Sequence, residues 1–144
     1  GFAYFYFRRA LEGIPCDELR EFFDYVRGEN FLGFIKYVTG NLGIVTATGQ
    51  ATCYRPSCFL RRHTDSTDVE NRAAAYVFGF TPVWQADWGG MLHIQDSTNA
   101  IVATHKPAFN TLTLFRVPTA HFVSQVANYA QGARYTTTGW FLTP

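Results

Sequence analysis

The stretch "ARYTTTGWF", residues 133–141, decides the fold. Read as a β-strand, it puts Arg134, Thr136, Thr138 and Trp140 on one face and Tyr135, Thr137 and Gly139 on the other, since successive side chains alternate. An arginine, two hydroxyls and an indole are costly on the inner face of a sandwich strand unless they line a cleft. The guanidinium presents a fork that holds a carboxylate by two parallel hydrogen bonds. The segment therefore predicts a β-sandwich with a polar cleft between its sheets.

Outward from that strand, the chain beyond Gly43 is rich in β-branched and aromatic residues and punctuated by Gly, Pro and Asn every 8 to 12 residues. Strands are predicted at Ile44–Tyr54, Phe59–Thr64, Ala73–Phe80, Gly90–Gln95, Ala100–Thr104, Thr111–Arg116, His121–Val126 and Arg134–Leu142. The first third reads as helical. In "IPCDELREFFDYVRGEN", Pro15 stands near a helix start, Asp17 and Glu18 fill the first turn and Gly28 is a stop. Leu19, Phe22, Phe23 and Val26 form one apolar stripe. Phe31, Phe34, Ile35 and Val38 predict a second short helix ended by Gly40. The expected class is mostly β with N-terminal helices: a double-stranded β-helix (jelly roll, cupin-like) with helices packed on one sheet. One domain over 1–144 is expected, with 1–42 as helical support and 43–144 as the jelly-roll core. A start at Gly1 suggests a trimmed N-terminus.

At 144 residues the chain can bury a real core, and an aromatic share of 17% suits a β-rich interior. The net charge of +1 without charge blocks argues against a nucleic-acid stripe or a membrane patch, so neither partner is expected. No apolar run is long enough for a membrane span. The opening "GFAYFYFRR" lacks the basic leader of a secretory signal. Cys16, Cys53 and Cys58 are too few and too irregular for a disulfide scaffold or a structural zinc site, which points to a reducing, cytoplasmic setting.

The chemistry centres on "FLRRHTDST", residues 59–67. His63 and Asp65, two apart at a strand end, can present an imidazole and a carboxylate to one metal. A carboxylate with nitrogen ligands suits a divalent first-row metal, and a facial His/Asp/His set leaves three positions open for substrate and O2. His93, His105 and His121 are the candidates for the third ligand. Of these, His121 opens a strand directly after the turn "RVPTA", where a ligand would sit on a rigid element near an opening.

With these pieces in order, the chain resembles the Fe(II)- and 2-oxoglutarate-dependent oxygenases of the prolyl 4-hydroxylase superfamily, in the branch of hypoxia-sensing and ribosomal prolyl hydroxylases. The resemblance runs from about Thr52 to Phe141 and is carried by "HTD", "TPVWQADWGGML", "KPAFNTLTLF", "HFVSQV" and "RYTTTGWF". It implies that His63, Asp65 and His121 hold Fe(II), and that Arg134, helped by Thr138 and Tyr54, binds 2-oxoglutarate. Trp140 would line the substrate pocket, with Arg62 in a gripping segment that runs into "STDVENR". The implied activity is hydroxylation of an unactivated C–H bond, with O2 as oxidant and release of succinate and CO2, and with ascorbate in support. The implied substrate is a prolyl residue of a protein or peptide. A free amino acid or another small molecule is the alternative, as is a metal-binding jelly roll without catalysis. Oligomeric state is not legible.

Two departures stand out. Arg134 comes thirteen residues after His121, so "ANYAQGA" is expected to form an enlarged hairpin loop. Gly79 occupies a position where relatives often carry a tyrosine that reaches toward 2-oxoglutarate, and Tyr76 lies on the opposite strand face.

Overall fold

The computed structural model describes residues 4–11 and 16–144. Helix α1 (Asp17–Val26) opens with Asp17 and Glu18, whose charges oppose the positive end of the helix dipole. Pro15 lies outside the described residues. Helix α2 (Glu29–Thr39) ends at Gly40, which takes the left-handed conformation at φ 68° that a side chain would resist. Phe22 of α1 packs edge-on against Phe78 and Phe80, and Phe31 of α2 lies against Phe78 and Phe141. Both helices thus cover one face of one sheet, as the apolar stripes predict. The buried face of α2 differs from the expected one: Phe31, Leu32 and Ile35 are inside, while Phe34 and Val38 are half-exposed. The sheet beneath fixes the rotation of this short helix.

The strands are β1 (Tyr4–Phe5), β2 (Phe7–Ala10), β3 (Thr46–Tyr54), β4 (Phe59–His63), β5 (Arg72–Phe80), β6 (Leu92–Gln95), β7 (Ile101–His105), β8 (Phe109–Arg116), β9 (His121–Val123) and β10 (Arg134–Leu142). One sheet has the order β1-β4-β9-β6-β7 and the other β2-β3-β10-β5-β8. From β3 onward the chain passes back and forth between the sheets, the connectivity of a jelly roll. All eight expected strands are present within a few residues of their predicted limits. The helical lead-in expected over 1–42 is broken by β1 and β2. These short aromatic strands have high β-propensity, and each finds an edge, β1 on β4 and β2 on β3.

Alternation along β10 sorts its side chains as the sequence predicts. Phe141 is buried in the core under the helices, whereas Arg134, Thr136, Thr138 and Trp140 line the space between the sheets. Gly49 and Gly139 are opposite each other on β3 and β10. The phenol of Tyr76 lies across both and donates to the Thr48 carbonyl at 3.0 Å. A Cβ at either glycine would collide with that oxygen, so close approach explains both. Between the sheets, one end is filled by an apolar cluster that includes Tyr54, Cys58, Trp84, Leu92, Val123 and Val126. Beside it a cavity of about 250 Å³ remains. No helix among the described residues is long and apolar enough to cross a membrane.

Candidate metal and diacid site

His63 is the last residue of β4 and His121 the first of β9, and the two are cross-strand partners. Their rings lie 4.1 Å apart, centre to centre. Asp65 sits two residues past the strand end with φ at 63°, a left-handed turn that brings its carboxylate back between the imidazoles. Oδ1 is 3.1 Å from His63 Nε2, and Oδ2 is 3.4 Å from His121 Nε2. Among the described residues, this is the one group of three such side chains whose ligand atoms all lie within 4.8 Å of one another.

Each imidazole is oriented by the backbone. His63 Nδ1 is 2.9 Å from the Arg61 carbonyl oxygen, and His121 Nδ1 is 2.8 Å from that of Thr119. With Nδ1–H donating there, each Nε2 turns its lone pair toward Asp65. Two nitrogen lone pairs and an anionic carboxylate then converge on one point, an arrangement that a cation relieves. Burial pulls the His121 pKa down, and nearby His63 adds to the shift. Burial alone would raise that of Asp65, but the combined influence of His63, His121 and Trp140 holds the carboxyl below its ordinary value. The donor set, two imidazoles and a carboxylate with open positions, fits Fe(II).

Arg134 begins β10 opposite Tyr54, its guanidinium carbon 5.0 Å from the centre of the Tyr54 ring. It is buried, and Nε and Nη1 find no hydrogen-bond partner among the described residues. Leaving charged donors unpaired in the interior is costly, a cost that an anion beside them would relieve. Burial pushes the Arg134 pKa down and that of Tyr54 up. Thr138 lines the same cavity and accepts from Gln50 Nε2 at 3.5 Å. Trp140 lines it nearer the triad, with the Arg72 guanidinium 3.6 Å above its ring.

The structure therefore brings together His63, Asp65, His121, Arg134, Tyr54, Thr138 and Trp140 around one cavity. It does not bring Arg62, which is exposed on β4 and outside the cavity lining. His93 is bound instead to Thr104 and stacked on Phe122, and His105 stands apart from the triad, at the end of β7. Tyr6 was not legible as a site residue, and Arg72 was legible only as the end of the gripping segment "STDVENR", not as a brace. Arg72 donates Nη1 to the Asp65 carbonyl at 3.1 Å and Nε to Glu70 at 2.9 Å, bracing the turn that carries the carboxylate. Tyr6, between β1 and β2, stacks parallel on Tyr54 with ring centres 4.7 Å apart. The aromatic run around Tyr6 was the available signal.

Comparison with known proteins identifies the family and the fold. The profile of the 2OG-Fe(II) oxygenase superfamily matches residues 49–142. No curated protein matches the sequence. Among solved structures, a Pseudomonas putida prolyl-4-hydroxylase superposes with a TM-score of 0.79 at 19% identity, over 98% of this chain and 73% of that one. A prolyl hydroxylase from Trichoplax adhaerens, in complex with a hypoxia inducible factor oxygen degradation domain peptide fragment, gives 0.74 at 22% identity, over 94% and 62%. A 2OG-Fe(II) oxygenase family oxidoreductase from Burkholderia pseudomallei gives 0.76 at 11%, over 99% and 73%. At these identities the superpositions speak for the jelly-roll fold, and the profile match speaks for the family. The chain belongs to the 2OG-Fe(II) oxygenase superfamily, a class of dioxygenases. Fe(II), 2-oxoglutarate and O2 are the cofactor and cosubstrates that membership brings.

Proposed function

We propose that the protein hydroxylates a prolyl residue of a protein or peptide, with His63, Asp65 and His121 as Fe(II) ligands and Arg134 as the clamp on the far carboxylate of 2-oxoglutarate. The observation that carries this reading is the pairing of two incomplete sites in one cavity. Lone pairs converge at the triad, and unpaired guanidinium donors lie at Arg134. When bound, Fe(II) and 2-oxoglutarate supply O2 activation coupled to decarboxylation, which yields succinate, CO2 and a hydroxylated C–H position.

The chain's own work is binding and orientation. Carbonyls of Arg61 and Thr119 fix the imidazoles, and Arg72 braces Asp65. The Arg134 fork sets the direction of the diacid, with Tyr54 packed beside it and Thr138 on the same wall. Leu60, Phe115 and Val123 contribute apolar surface to the wall. No side chain is needed as general acid or base. The likeness in fold to prolyl hydroxylases, one of them holding a peptide, supports a prolyl target in a polypeptide. Ascorbate would maintain the metal in its reduced state. The free thiols of Cys16, Cys53 and Cys58 suit a reducing, cytoplasmic compartment.

The test is incubation with Fe(II), 2-oxoglutarate, ascorbate and a library of proline-containing peptides, read by mass spectrometry. A prolyl residue that gains one oxygen atom with wild type but not with His121→Ala is the expected result. Oxidation of free proline alone, with no peptide modified, would move the substrate to the small-molecule class.

A further inference from the structure

We infer that the hydroxyls of Thr111 and Thr113 on β8 complete the far-carboxylate site, and that Gly79 is what gives them access to it. This rests on the reading that Arg134 grips 2-oxoglutarate. The register of the second sheet places residues in rows across its inner face. One row runs Arg8, Thr52, Thr136, Gly79, Thr111, immediately beside the row that contains Tyr54 and Arg134. The next row carries Gln50, Thr138, Val77 and Thr113.

A carboxylate offers about four lone-pair sites, and an arginine fork meets two of them. The others need neutral donors close by. Thr136 is engaged, its hydroxyl hydrogen-bonded to that of Thr52. Thr111 and Thr113 line a water-sized cavity of about 20 Å³ together with Arg134, Thr136 and Gly79. Val77, Leu92, Arg134 and Thr136 also border the main cavity, so the small one continues it toward β8.

Gly79 is not merely a missing side chain. A Cβ there would run into the Ala108 carbonyl oxygen and lie 2.5 Å from Thr111 Oγ1. β8 has closed over the place where a larger residue would stand, and the polar group it delivers is a threonine hydroxyl. The absence of a tyrosine at this position is thereby offset from the neighbouring strand.

The test is anaerobic calorimetry on the Mn(II)-loaded protein with two probes, 2-oxoglutarate and 2-oxobutyrate, which keeps the chelating end and lacks the far carboxylate. Thr111→Val, Thr113→Val and the double variant remove hydroxyls while keeping shape and β-propensity. The double variant should weaken 2-oxoglutarate about tenfold or more, as for loss of hydrogen bonds to a charged group, and leave 2-oxobutyrate unchanged. Gly79→Ala, which displaces Thr111, should show the same selectivity. Unchanged affinity for 2-oxoglutarate in the double variant, or equal weakening of both probes, overturns the assignment while leaving the oxygenase reading in place. Failure of the wild type to bind 2-oxoglutarate overturns both.

Discussion

Asp65 and Arg134 show how single residues carry this site. Asp65 has a backbone angle that most side chains avoid, and Asp is among the residues that tolerate it. The turn thus favours an aspartate and sets the direction of its carboxylate together. Arg134 is buried with open donors, and only a planar fork serves a carboxylate at both oxygens. Arg134→Lys keeps the charge and loses the fork; it should weaken 2-oxoglutarate binding to the Mn(II)-loaded protein about tenfold or more. Arg72 acts through Asp65, not on ligand. Arg72→Ala should lower Mn(II) affinity by about tenfold, the lower end for lost outer-shell support, while 2-oxoglutarate affinity at saturating metal stays close to wild type. Equal Mn(II) affinity in a metal titration would show that the turn holds its shape without the brace. The triad and Arg134 were legible because strand ends and alternation place them. Tyr6 was not, and Arg72 was placed in the segment beside the metal pair but not as a brace, because their roles depend on which loop or strand comes to lie against them.

Among the elements, strands with strong alternation, such as β10, were readable from sequence in place and in facing. The N-terminal strands were not, since the stretch from Tyr4 to Ala10 has no partner of its own and forms two strands only when the edges of β3 and β4 are offered. The α2 stripe was misplaced by part of a turn because both faces carry large apolar residues, and the sheet selects between them. The Gly49/Gly139 window explains why β3 and β10 carry glycines in mid-strand, where they would otherwise weaken the sheet. Gly139→Ala would push against the Thr48 carbonyl and the Tyr76 phenol. It should cost about 1–3 kcal/mol as overpacking. Tyr76→Phe, which loses one hydrogen bond, should cost only about 1 kcal/mol. Urea unfolding of the two variants gives the order, and a reversed order would remove the window from the account.

For the whole molecule, the design is a sandwich closed by apolar packing at one end and left polar at the other. Helices cover the outer face of the sheet that carries Arg134 and so back one wall of the cavity. Ligands that fill the two incomplete sites should therefore stabilise the fold by mass action. At about one hundred times its dissociation constant, a ligand adds about 2.7 kcal/mol. Mn(II) together with a non-reacting 2-oxoglutarate analogue should raise the Tm of wild type, and His121→Ala should lose that shift. Whether the two sites work together as an oxygenase centre is read most directly from succinate release from 2-oxoglutarate in the presence of Fe(II) and O2, compared among wild type, Asp65→Ala and Arg134→Ala. Turnover by wild type that is lost in both variants is the predicted result, and turnover that survives Asp65→Ala would contradict the account.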